Sequence, residues 1–349
     1  MAPAFHSNGR AAGLGALLLF LMLLPVTLHL VGNVPLAEAY RGISERAGPF
    51  DRIRRQVFED HSDLDVMICG SSLLRGAIQT EMLQRELSEA LGRQASVALV
   101  PQSWQGPDMN YFVSRDLMEH RKVKLFVIAT PAHTHRSSQP HVQLFRVIRY
   151  GDHPGALDGL PLRYRLNIYA DYVLGAPRQA LNLFRPNYVD PNAGLDADEP
   201  TRVGYMNGPF VPHRIVPNQI APESVIYSPA TRDSYRFDGE ALNGYQFHFL
   251  RKTVELAREH GALLVILHLP SPSERGSDVV PERQPMPDLF GAGVVYLGIP
   301  SNRLFAKVPS EEVLDYFKDE HLNWNGMQLY TETLAPILAR IYEQSIQAH

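Results

Sequence analysis

Leu64-Asp65-Val66-Met67-Ile68-Cys69-Gly70-Ser71-Ser72-Leu73 runs from a short apolar stretch, interrupted at Asp65, into a glycine and two serines. A run of that length closed by a turn residue reads as a buried strand. Beyond it, Met82, Leu83, Leu87 and Leu91 recur at helical spacing over 80–91. Residues 96–100 then read as a second strand, 108–120 as a second helix and 124–129 as a third strand. Far downstream come a helix over 242–260, strands over 263–267 and 293–297, and a closing amphipathic helix over 326–341. Strands alternating with helices predict an α/β fold, a doubly wound and mainly parallel sheet. Sites in such sheets lie at the carboxyl ends of strands. Gly70-Ser71-Ser72 falls on that edge.

Composition agrees with a globular chain. Of 349 residues, 45% are hydrophobic and 20% charged. Lys plus Arg number 33 against 37 Asp plus Glu, a net charge of −4 with no basic excess to draw a nucleic acid. One cysteine, Cys69, excludes an intrachain disulfide and any Cys-rich metal site. It ends an apolar strand, where a thiol is buried and inert.

The amino end has a different character. No charged residue occurs from Ala11 to Val31, and residues 17–24 are nearly pure hydrocarbon. About 20 such residues span a bilayer core of roughly 30 Å, so residues 1–37 predict a tail and one transmembrane anchor. Ala37-Glu38-Ala39 offers a signal-cleavage site ahead of Tyr40, but the apolar run is long for a signal peptide. Arg10 before the run and Arg41 and Arg46 after it leave the charge rule for orientation undecided. A connector, 38–63, leads to one exported domain over 64–345. Residues 131–238 break the α/β rhythm with Pro, Asn, Tyr and Arg and are expected to form a long insertion, helical near 164–183.

Two motifs carry chemistry. Ser72 stands at the turn from the first strand into a helix, where neighbouring N–H groups can face a developing oxyanion. Asp319-Glu320-His321-Leu322-Asn323 precedes the last helix. A histidine there can reach the same sheet edge as a general base, with Asp319 on the same face of an extended turn to orient it. Each motif alone is weak, since Gly-Ser-Ser is a common turn and Asp-x-His a common surface loop. Their positions at the first strand and last helix give them weight together. His133, His135, His141 and His153 lack the remaining ligands of a metal site and read as a polar loop. His268, after a strand, reads as a polar contact beside the cleft. No metal or organic cofactor is expected.

These motifs resemble the SGNH, or GDSL-like, hydrolase superfamily, and within it the membrane-anchored branch related to alginate O-acetylation and teichoic-acid D-alanylation proteins. Gly70-Ser71-Ser72-Leu73-Leu74-Arg75-Gly76 and Asp319-Glu320-His321-Leu322-Asn323-Trp324-Asn325-Gly326 carry the resemblance, with Ser103-Trp104-Gln105-Gly106-Pro107-Asp108 between them. It covers roughly residues 64–130 and 242–345. It implies Ser72 as nucleophile, His321 as general base and Asp319 as orienting carboxylate. It also implies an oxyanion hole formed by the N–H groups of Ser72 and Gly106. The family's oxyanion Asn has no counterpart in Ala129-Thr130-Pro131-Ala132-His133, where Thr130 is the candidate replacement. Asp stands two residues before His rather than the three usual in the hydrolases, and this spacing suits the acetylation branch. Trp104 and Trp324 flank the expected site and would suit stacking on a sugar ring.

The resemblance implies a membrane-anchored serine esterase or O-acyltransferase, its domain periplasmic or extracellular. Its substrate would be an acyl ester of a cell-envelope polysaccharide, and a polytopic membrane O-acyltransferase is an implied partner. The alternative is a degenerate fold kept as an assembly or glycan-binding subunit.

Overall fold

A computed structural model describes residues 8–31, 36–41, 43, 50–101, 106–129, 138–141, 144–148, 153–170, 172, 219–227, 244–277 and 293–347. The quoted run forms β1 (Leu64–Gly70), paired in parallel with β2 (Val97–Pro101) on one side and β3 (Val123–Ala129) on the other. Beyond β3 the sheet continues in parallel through β5 (Leu263–Leu267) and β6 (Val294–Leu297). A two-residue strand, β4 (Ile226–Tyr227), closes that edge antiparallel to β6, giving the order β2-β1-β3-β5-β6-β4. The expected α/β architecture is present.

Alternate strand residues point to opposite faces and build two cores. Met67, Cys69, Phe126, Ile128 and Ile266 pack with α6 (Pro107–Met118) and α7 (Gly244–Glu259). Val66, Ile68, Leu125, Val127 and Val265 pack with α4 (Ser72–Ala77), α5 (Thr80–Leu91) and α8 (Trp324–Gln347). The chain steps outward from β1 to β2, then crosses back to place β3 on the other side of β1. Such a reversal leaves a crevice outside the carboxyl ends of the two inner strands. Ser72 follows one of them.

The amino end carries α1 (Asn8–Val31), α2 (Leu36–Arg41) and α3 (Phe50–Phe58). Tyr40, Ile53 and Val57, from the stretch expected to be a connector, are fully buried in the α6/α7 core. The Tyr40 hydroxyl donates to buried Asp116 at 2.9 Å, and Arg115 pairs with the same carboxylate at 2.6 Å. Along α1, Leu17, Leu18, Leu19, Phe20, Met22 and Leu23 are all more than half exposed. The side chains of this helix are described as far as Leu23. Among the described residues no helix is long and apolar enough to cross a membrane, so the fold does not support the expected transmembrane span.

The described parts of the expected insertion belong to the domain. Leu144, Val147, Ala156, Leu157, Tyr164 and Ile168 enter the α6/α7 core. The helix expected over 164–183 is present over 162–170, and its expected end lies outside the described residues.

Candidate active site

Local packing sets Ser72 at the start of α4. A β-carbon on Gly70 would sit 2.8 Å from Leu74 Cδ2, so glycine lets the helix fold back on β1 without displacing that side chain. Ser71 is the N-cap, its carbonyl accepting the N–H groups of Leu74 and Arg75 at 3.0 and 3.1 Å. Ser72 is thus the first helical residue, where the backbone N–H has no intrahelical acceptor.

His321 arrives from the other end of the chain on a small hairpin. β7 (Phe317–Lys318) and β8 (His321–Leu322) pair antiparallel, with Lys318 opposite His321 and Asp319-Glu320 as the turn. Phe317 and Leu322 anchor the hairpin in the α4/α5/α8 core. Asn323 fixes the exit. Fully buried, it caps α8 by accepting the N–H groups of Asn325 and Gly326 at 3.0 and 3.2 Å, and its amide donates to the Asp315 carbonyl at 2.6 Å. A β-carbon on Gly326 would collide with the Tyr316 carbonyl and approach Leu322 Cδ2 to 2.8 Å. Hairpin and helix are locked at that point.

The result brings Ser72 Oγ to 3.0 Å from His321 Nε2 across 249 residues of sequence. With the ring proton on Nδ1, the hydroxyl donates to Nε2, the geometry a general base needs. Burial pushes the His321 pKa below its ordinary value, against an opposing pull from Glu320 and then Asp319. A neutral imidazole able to accept a proton near pH 7 follows. Asp319 is exposed at the first position of the hairpin turn with φ 55°. The extended turn expected to align it with His321 is a tight reversal instead. Among the described residues no hydrogen bond joins Asp319 to the imidazole. It acts on the ring through its charge.

Gly106 caps α6 with φ −153°, at the carboxyl edge beside β1, whose last pair is Gly70 with Pro101. Trp324, 36% exposed, opens α8 three residues after His321. Thr130 and Trp104 lie outside the described residues, as do His133 and His135. His268 is held by Glu274 at 2.8 Å, and Ser271 donates to the other oxygen of that carboxylate at 2.9 Å. Among the described residues no three His, Cys, Asp or Glu side chains gather to hold a metal ion.

Sequence reasoning missed the role of Asp108. This fully buried carboxylate accepts the N–H groups of Met109 and His141 at 2.8 Å each and the hydroxyl of Tyr245. Burial pushes its pKa up, opposed by His141 and by these donors. A β-carbon on Gly106 would meet Asp108 Oδ1 at 2.8 Å and the His141 ring at 3.0 Å. One carboxylate therefore clamps the start of α6, the insertion at His141 and the start of α7 around Gly106. An acidic residue in a first helical turn reads as a dipole partner. Nothing in its neighbourhood of sequence names the distant Tyr245.

Compared with protein families and with curated proteins, the chain matches no family model and no curated relative.

Proposed function

We propose that this chain is an exported, membrane-anchored serine esterase or O-acyltransferase of the SGNH type, acting on acyl esters of an envelope polysaccharide. The 3.0 Å approach of Ser72 Oγ to His321 Nε2 at the carboxyl edge of the sheet carries the reading. In the first step Ser72 Oγ attacks the acyl carbonyl while its proton passes to His321 Nε2. The N–H groups of Ser72 and Gly106 are assigned to the oxyanion. Collapse breaks the ester bond, and the departing sugar oxygen takes the proton from Nε2. Water or an acceptor hydroxyl then attacks the acyl-serine, His321 accepting its proton, and Ser72 is regenerated. Trp324 beside His321 suits a sugar face. An acyl donor across the membrane calls for a polytopic O-acyltransferase partner.

The anchor reading rests on the uncharged run from Ala11 to Val31, and two observations accompany it. α1 bears exposed apolar side chains at Leu17–Phe20, Met22 and Leu23, and the Ala39–Tyr40 peptide at the candidate cleavage site lies inside α2 with both residues buried. Cutting there would divide a packed helix.

The test combines chemistry and turnover. An alkyl fluorophosphonate should leave its adduct on Ser72 by mass spectrometry and nowhere else. His321→Ala should lower ester turnover by about 10²–10⁴, and adding Ser72→Ala should change little more, because the pair acts as a unit. The second reading, an assembly or glycan-binding subunit, is favoured by the exposed position of Asp319 in the hairpin turn, where among the described residues its carboxylate accepts no hydrogen bond from the imidazole. It prevails if folded Ser72→Ala and His321→Ala proteins restore polymer acylation in a deletion strain as well as wild type.

A further inference from the structure

The edge of the sheet opposite Ser72 carries a cleft that the proposed chemistry does not use. It encloses about 340 Å³ between α3 and α5, where β1 and β2 begin. That volume is at the lower end of the roughly 300–1,000 Å³ of small-molecule sites. Leu64, the first residue of β1, lines the cleft, and Ser72 stands beyond the last. At about 3.3 Å per residue the strand therefore sets some 20 Å between the cleft and the hydroxyl, roughly.

The cleft has more hydrogen-bonding capacity than the fold consumes. The side chains of Gln56, Gln84, Gln94 and Ser96 line it. Gln84 and Gln94 accept from Ser88 and Arg93 through their backbone carbonyls, and among the described residues their carboxamides enter no hydrogen bond. Gln56 goes further, for its Oε1 is buried and has no partner among the described residues. A buried acceptor is unfavourable until a donor reaches it. Each carboxamide offers two donors and one acceptor, and its terminal bond can turn to present either.

Charge in the cleft is already spent. Arg121 is buried and pairs with Asp60 at 3.0 Å. The same guanidinium donates to the Ser62 and Gln56 carbonyls and to the Ser62 hydroxyl. An anionic ligand would find no cation without its counter-charge. Among the described residues no aromatic side chain lines the cleft, so a flat apolar ligand has no ring to stack on. Three carboxamides and a hydroxyl fit a neutral ligand dense in hydroxyl groups, each of which both donates and accepts.

We propose that this cleft binds a short neutral stretch of sugar, its hydroxyls on the carboxamides of Gln56, Gln84 and Gln94. The site stands on the cleft alone and holds whether or not Ser72 performs ester chemistry. If it does, a polymer gripped here is kept close to the crevice at the other edge of the sheet.

The test uses the full chain in a zwitterionic detergent, because a glycoside detergent would itself compete for the cleft. Saturation-transfer NMR would be run with maltose, cellobiose and diacetylchitobiose, and with glucose 6-phosphate and trialanine beside them. At least one neutral disaccharide should bind wild type and Ser72→Ala alike. Gln84→Ala combined with Gln94→Ala should weaken its Kd by about tenfold, since two sets of sugar hydrogen bonds are lost. Neither side chain belongs to the core, and melting curves check that the variant is folded. Gln84→Trp, which fills the cleft, is the second variant should the pair misfold, and it should abolish binding. Sugar binding that survives these substitutions, or that Ser72→Ala abolishes, belongs to the crevice at Ser72. That result overturns the cleft and leaves the esterase reading standing. Cleft-dependent binding by a chain without ester turnover does the reverse. Uptake of the sugar phosphate or the peptide in place of neutral disaccharides overturns the assigned ligand. A chain that takes up no probe keeps only water in the cleft, and the proposal falls.

Discussion

Replacing Asn323 by alanine should destabilise the protein by about 2 kcal/mol and slow turnover together. Two contributions make up that figure. The lost cap leaves the Asn325 and Gly326 N–H groups without the side-chain oxygen they donate to, worth about 1 kcal/mol. The lost amide no longer donates to the Asp315 carbonyl, worth about 1 kcal/mol more. Against a total stability of roughly 5–15 kcal/mol this is large, and the melting temperature should fall by about 4–8 °C. Asn323→Ser separates the contributions. It keeps an accepting oxygen at the amino end of α8 and loses the amide donor, so about half the stability should return. His321 stands two residues ahead, and a displacement near 1 Å can cost about 100-fold in rate. The alanine variant should therefore lose kcat with KM little changed. Urea unfolding of the full chain in detergent, followed by circular dichroism, gives the first quantity, and ester turnover gives the second. An alanine variant within about 0.5 kcal/mol of wild type, or a serine variant worse than alanine, would refute the assignment of Asn323 as the clamp on the hairpin.

Three further outcomes follow from the geometry. Burial lowers the His321 pKa, so the acid limb of kcat/KM should lie below pH 6.5, moving lower still in Glu320→Gln and less in Asp319→Asn, with added salt shrinking both changes. The folded imidazole holds its proton more weakly than the unfolded one, so its contribution to stability falls as pH drops through the unfolded value near 6.5. An acid limb above that value would contradict the burial argument. Gly326→Ala forces a methyl into the Tyr316 carbonyl and Leu322 and should cost about 1–3 kcal/mol, which a neutral denaturation midpoint would disprove. Tyr245→Phe removes a donor from a fully buried carboxylate and should cost about 1.5–3 kcal/mol. An unchanged midpoint there would mean that Asp108 does not depend on that hydroxyl.

The parallel sheet was readable because its strands are short, mostly apolar runs and its helices carry a 3.6-residue period. Ser72 was readable for a related reason, since a strand followed at once by Gly-Ser-Ser leaves few places for the turn. The hairpin that carries His321 was not. Two-residue strands have no period to detect, and their pairing of Lys318 with His321 depends on tertiary anchors at Phe317 and Leu322. That hidden turn also misled the placement of Asp319. Residues two apart share a face in extended chain, whereas a reversal with φ 55° at Asp319 turns its side chain to solvent. β4 escaped notice because an edge strand of two residues inside a Pro- and Asn-rich stretch carries no alternation. Tyr40, Ile53 and Val57 lie among charged neighbours whose density suggested a connector, although three apolar residues at suitable spacing suffice to seat those helices in the core.

The separation of 249 positions between Ser72 and His321 also measures a time. A ribosome adds about 5–20 residues each second, so roughly 12–50 s separate the synthesis of the hydroxyl from that of its base. Throughout that interval the serine is an ordinary alcohol. A chain that stops early, or is clipped before its last helix, keeps Ser72 and cannot arm it. On the proposed reading, synthesis of the hairpin that carries His321 is thus the event that arms the hydroxyl, and no separate inhibitor is needed before it.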